Sequence, residues 1–117
     1  MNIIVDDLKE GKVVRINVGH RLDLTAYKHF SEVTVCAVDD PRIVAIVVDF
    51  SGTHQLFDSG KAILFDLIMR ANYLKIPLRM VNANADISLK LSLLEHSMEH
   101  IQGKSSGAAV DRLGYAS

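Results

Sequence analysis

The sequence predicts an α/β chain built on a mixed sheet with an antiparallel hairpin at its edge. Three observations predict it. Two short apolar runs, Ile3 to Leu8 and Val13 to Val18, flank a polar turn. The β-branched block Ile43 to Val48 follows a stretch of helical spacing, and the helical period then returns twice around a further short run, Leu78 to Val81. The resulting order β, β, α, β, α, β, α calls for right-handed crossovers between its parallel strands.

The hairpin rests on Val14, Ile16 and Val18, which share one face, and on the turn Lys9-Glu10-Gly11-Lys12. From Asp23 the period changes: Leu24, Tyr27, Phe30, Val33 and Ala37 recur at helical spacing until Pro41 ends the run. Ile43 to Val48 reads as a central strand covered on both faces or nearly so. Past the loop Phe50-Ser51-Gly52, the residues Ile63, Leu64, Leu67, Ile68, Ala71 and Leu74 mark a second helix with Ser59 at its N-cap and Pro77 beyond its end. Leu78 to Val81 is a strand, Asn82 to Asp86 a turn, and Ile87, Leu91 and Leu94 the buried side of a third helix capped by Asp86. Residues 1–102 are read as one domain, and 103–117, mostly small or polar, as a weak terminal helix or loose tail.

Composition narrows the function. At 117 residues, 49% hydrophobic and only 6% aromatic, the chain can bury an aliphatic core without metal or disulfide support. Thirteen basic against fourteen acidic residues, with no block of either sign, leave no footprint for nucleic acid. Cys36 has no partner for a disulfide and falls in a segment expected to pack on the core, which predicts an inert thiol in a reducing, cytoplasmic setting. The start Met1-Asn2-Ile3-Ile4-Val5-Asp6-Asp7 lacks the basic and apolar regions of a signal peptide, and no apolar run approaches the roughly 20 residues of a membrane span.

Several chemistries fail on spacing. A phosphate-binding loop needs four residues between its glycines and a hydroxyl after its lysine; here seven separate Gly52 from Gly60, and Ala62 follows Lys61. Ser59 as a nucleophile would need a base and an oxyanion hole, but Asp58-Ser59-Gly60 is no nucleophile elbow and the nearest imidazole in sequence, His54, reads as a polar loop residue. His96 and His100 are one helical turn apart with no third ligand in view, and His20 and His29 stand alone, so no metal is expected. No pair of titratable groups has acid-base spacing, so neither an enzyme nor a cofactor is predicted. What remains is a serine at a helix start on an exposed loop. There a phosphate of about -1.5 to -2 charges can be accepted by free amides and the helix dipole without unfolding, a role compatible with simple capping.

At this point the residues resemble a known family. Gly19-His20-Arg21-Leu22-Asp23-Leu24 is similar to the segment leading into the first helix of STAS domains and bacterial anti-sigma-factor antagonists. Val47-Val48-Asp49-Phe50-Ser51-Gly52 followed by Asp58-Ser59-Gly60 resembles their strand and phosphoacceptor motif, and Leu78 to Asn82 with Ile87 to Leu94 resembles the strand and helix that come next. The resemblance spans residues 3 to 102. It implies a STAS-like mixed sheet with helices packed mainly on one face, and a protein that binds other proteins.

In such antagonists a serine at the start of the second helix controls partner exchange: the unphosphorylated form binds an anti-sigma factor, and phosphorylation releases it. Counted without a gap from Asp49, Ser59 takes that position and Gly60 the glycine after it; a one-residue deletion would instead align Asp58 with the motif's Asp, leaving Ser59 still before the glycine. The implied docking face comprises His20, Asp23, His54, Asp58, Ser59, Gly60 and Lys61. The implied partners are an anti-sigma factor or serine protein kinase and a phosphatase acting on Ser59, with homodimerisation left open. On the ungapped count the sequence departs from the motif at Phe57 and Asp58, and His20 separates Gly19 from Arg21-Leu22-Asp23. Asp58 therefore either opposes or mimics a phosphate next to it, which keeps a second role in view: an accessory or scaffold subunit of a stress-signalling or transporter complex without phosphoregulation.

Overall fold

The structure is a computed structural model that describes residues 1–102. The reading of residues 103–117 lies outside that range, as does the pairing of His96 with His100, since the latter's side chain is not described.

Strands β1 (Asn2–Leu8) and β2 (Gly11–Asn17) form the expected antiparallel hairpin, with Leu8 opposite Gly11 and Asn2 opposite Asn17. The short strand β3 (Arg21–Leu22) and a 3-10 turn, Leu24–Ala26, lead into α1 (Tyr27–Asp39). Then come β4 (Ile43–Asp49), β5 (Gln55–Leu56), α2 (Asp58–Tyr73), β6 (Leu78–Val81) and α3 (Ala85–Gln102). The main sheet runs β1-β2-β4-β6, antiparallel in the hairpin and parallel thereafter, so β4 is interior as its apolar block requires. A separate parallel ribbon joins β3 to β5.

The core lies on one face of the sheet. Val14, Ile16, Ile46, Val48, Leu78 and Met80 point to it and meet Phe30, Val33, Ile63, Leu64, Leu67, Ile87 and Leu91 from the helices. Each such side chain fully removed from water contributes about 1.5–3 kcal/mol of transfer free energy. The opposite face of β4 is only partly covered: Ala45 and Val47 are half-buried there, against the reading of a strand covered on both sides. Flanking strands, not a helix, give that face its partial cover.

Two details of α1 also differ from expectation. Leu24 and Tyr27 are exposed at 66% and 54% while Ala26 is buried, because the helix enters through a 3-10 turn whose tighter pitch shifts the apolar phase. Cys36 is exposed, one position off the Phe30-Val33-Ala37 stripe, and so does not pack on the core. Asp86 does not cap α3. Asn84 does, accepting the Ile87 amide at 2.9 Å, while Asp86 pairs with Lys90 at 3.4 Å across one turn.

Candidate partner-docking site

The β3–β5 ribbon gathers the residues that sequence marked. Leu22 pairs with Leu56, both buried, and this pairing lays the loop after β2 beside the loop after β4. The His54 amide donates to the His20 carbonyl at 2.8 Å, which sets the two imidazoles 5.3 Å apart and tilted, both on the surface. Beneath them the Thr53 hydroxyl donates to the Gly19 carbonyl, and the Thr53 carbonyl accepts from the Asn84 amide group at 3.1 Å. Thr53, only 2% exposed, thus fastens two loops and the start of α3 into one piece.

The same ribbon determines where α2 begins. The Phe57 amide donates to the Leu22 carbonyl at 3.1 Å, and Phe57, in extended conformation, occupies the N-cap position with no side-chain cap bond. Ser59 is therefore not the cap, as the sequence suggested, but the second helical residue. Its side chain is half-buried, and among the described residues its hydroxyl has no hydrogen-bond partner. Gly60 is buried directly on the Leu22 backbone: a β-carbon there would lie 2.2 Å from the Leu22 carbonyl oxygen, so this first turn sits closer to β3 than any other residue would permit.

Charge at the site is partly cancelled. Asp58, almost wholly exposed at the first helical position, pairs with Lys61 at 3.4 Å. Asp23 looks inward: its carboxylate caps the 3-10 turn through the Thr25 amide at 3.0 Å and pairs with Arg21 at 3.2 Å. The Thr25 hydroxyl, then the Thr25 amide, hold its pKa below the ordinary carboxylate range, with Arg21 adding a smaller effect against partial desolvation. Asp49, at the end of β4, is pushed upward by burial. The Ser51 hydroxyl and amide at 2.7 and 2.8 Å and the Asn82 amide group at 3.1 Å outweigh this and leave its pKa lowered.

His20, His54, Asp58, Ser59, Gly60 and Lys61 thus fall on one ribbon-and-helix-start region, with Asp23 engaged at its margin. Thr53 and Asn84, which hold that region together, escaped the sequence reading; the spacing Asn84-x-x-Ile87 is the cap signature that marks one of them. Among the described residues no cluster of three metal-ligating side chains occurs, and no helix is long and apolar enough to cross a membrane.

Compared with known proteins, the chain matches no family profile and no curated protein by sequence. Its fold, however, is that of the STAS-type anti-sigma factor antagonists. The anti-sigma factor antagonist SpoIIAA in its unphosphorylated form superposes with a TM-score of 0.58 at 12% identity, over 88% of this chain and 100% of that one. A serine-to-glutamate variant of Moorella thermoacetica RsbS gives 0.61 at 15% identity, over 80% and 78% of the two chains. The Bacillus cell fate determinant SpoIIAA in its phosphorylated form gives 0.53 at 13%, over 87% and 84%.

Proposed function

We propose that this chain is a cytoplasmic, protein-binding regulatory module of the anti-sigma-factor-antagonist kind, acting by docking and not by catalysis. The docking face is the surface of His20, His54, Asp58, Ser59 and Lys61, braced by Gly60 and bounded by Asp23. Its partner is an anti-sigma factor or serine protein kinase. Phosphate on Ser59 weakens that docking, and a phosphatase restores it.

One observation carries the reading: the Ser59 hydroxyl is unengaged, at the second position of a helix whose first amides have no side-chain cap. A phosphate there meets free donors and the positive end of the helix dipole, so the fold tolerates it while the surface gains negative charge. The solved likenesses support the same reading, since SpoIIAA is known in unphosphorylated and phosphorylated forms.

Asp58 favours a second reading. Its carboxylate already places negative charge beside Ser59, only partly balanced by Lys61, which suits a scaffold or accessory subunit that docks without phosphoregulation. One experiment separates the two. The protein is incubated with the kinase encoded beside it and ATP, the phosphate is mapped by mass spectrometry, and partner binding is compared for Ser59→Ala and Ser59→Asp. Switching requires modification at Ser59 and weakened binding only in Ser59→Asp; no modification and equal binding leave the scaffold role.

A further inference from the structure

The outer edge of β1 offers seven residues of strand backbone paired on one side only, against four in β6 at the other edge. Its polarity can be read from β2. The Lys12 and Val18 amides donate to Arg42 and Asp49 on the β4 side, so Val13, Arg15 and Asn17 turn their backbone groups to β1. Their partners Asp6, Ile4 and Asn2 face β2 in return, and Ile3, Val5 and Asp7 direct amides and carbonyls outward. β1 has no proline, lysine or bulge, its charges, Asp6 and Asp7, are confined to one end, and Ile4 and Val5 are 42% and 51% exposed along the rest.

We propose that β1 pairs antiparallel with β1 of a second copy of this chain, about a two-fold axis through Ile4, joining the two four-stranded sheets into one. The side chains select this register. Centred on Ile4, Ile4 meets Ile4, Ile3 meets Val5 and Asn2 meets Asp6, so apolar faces apolar and polar faces polar. Centred on Val5, Ile4 faces Asp6 and Ile3 faces Asp7; centred on Asp6, two carboxylates collide. In the Ile4 register, Ile3 and Val5, whose backbone groups point outward, hydrogen-bond each other across the interface. Arg15, 3.8 Å from Asp6, moderates the acidic end of the strand. Ile3 and Val5 also line a groove of about 460 Å³ between the hairpin and α1, shared with Val14, Val33 and Ile43 and with four charged residues. The interface uses nothing from β3, β5 or α2, so it stands whether or not Ser59 is a switch.

Sedimentation velocity from micromolar to millimolar protein tests the pairing. A monomer–dimer equilibrium is expected, with its dissociation constant raised at least about tenfold by Ile4→Lys, which sets two ammonium groups face to face. Val5→Pro removes an outward amide, a change that edge strands tolerate, and should leave the far-UV spectrum intact while abolishing the dimer. In a Cys36→Ser background, Ile4→Cys should oxidise to a cross-linked dimer, because non-hydrogen-bonded antiparallel pairs bring Cα atoms to about 4.5 Å, whereas Leu8→Cys should not. A monomer throughout the range, a dimer indifferent to both Ile4→Lys and Val5→Pro, or Leu8→Cys cross-linking as fast as Ile4→Cys overturns the proposal.

Discussion

Gly60→Ala is the sharpest test of how the docking face is built. In an ordinary exposed helix this change stabilises by about 1 kcal/mol, because alanine loses less backbone entropy. Here the added β-carbon would lie 2.2 Å from the Leu22 carbonyl oxygen, 2.6 Å from its carbon and 3.0 Å from Leu22 Cγ. The first two are backbone atoms, so no rotamer change relieves the overlap, and α2 must retreat by roughly 1 Å to reach ordinary contact distances. That retreat stretches the 3.1 Å bond from the Phe57 amide to the same Leu22 carbonyl. Overpacking costs about 1–3 kcal/mol and a weakened backbone bond about 1 more, so after the helix-propensity gain a net loss of about 2 kcal/mol is expected. Urea unfolding followed by circular dichroism should show a lower midpoint with an unchanged slope, and the melting temperature should fall by about 8 °C. Gly52→Ala is the control: with φ of +76° and nothing within 4 Å, it carries only left-handed strain, about 1 kcal/mol. A Gly60→Ala protein as stable as the parent, or more so, would refute the close packing of α2 on β3.

Two further outcomes follow from the geometry. Asn84→Ala removes the cap on α3 and the bond to the Thr53 carbonyl together, so it should cost about 1–2 kcal/mol in urea unfolding, while Asp86→Ala should change stability by less than about 0.5 kcal/mol. Asp23, Asp49 and Asp40, the last accepting the Arg42 amide at 3.0 Å and pairing with Lys12 at 3.0 Å, all have lowered pKa values in the fold, so the unfolded chain binds more protons as pH falls through its carboxylate range. Their stabilisation is therefore complete above that range, near pH 4, and is lost as pH falls through the depressed values; Asp49→Asn should flatten part of that acid limb in a pH series of unfolding curves, and an unchanged limb would discount the Ser51 and Asn82 bonds.

The sequence made some of this plain and hid the rest for identifiable reasons. The hairpin, the end of α1 before Pro41, the β4 block and the end of α2 before Pro77 were legible because hydrophobic period and proline act locally. The β3–β5 ribbon was not: two residues per strand show no period, and their pairing joins segments far apart in sequence. Because that ribbon positions Phe57, α2 starts two residues before the point where a cap at Ser59 would put it, and Ser59 became an uncapped second residue. The α3 cap went astray for a related reason. Asp86 adjoins the apolar Ile87, but α3 begins at Ala85, so the residue placed just ahead of the helix to accept a first-turn amide is Asn84 and Asp86 already lies within it. The residues proposed for docking were named through family likeness, whereas the atoms bracing that region, Thr53 and the Leu22 backbone, carry no motif.

That bracing bears on whether a charge at Ser59 can act as a signal. The placement of α2 depends on Leu22, Phe57 and Gly60, not on the serine, so Ser59 can change without moving the helix. A negative group at the second helical position gains about 0.3–1 kcal/mol from the helix dipole. Asp58 is its immediate neighbour, a spacing at which helical side chains do not face each other, and its carboxylate pairs with Lys61 at 3.4 Å, so it cancels only part of that gain. Ser59→Asp should therefore unfold within about 0.5 kcal/mol of Ser59→Ala in urea. A loss above about 2 kcal/mol for Ser59→Asp alone would mean that charge there acts by loosening the fold, and docking could not then be regulated on a rigid surface.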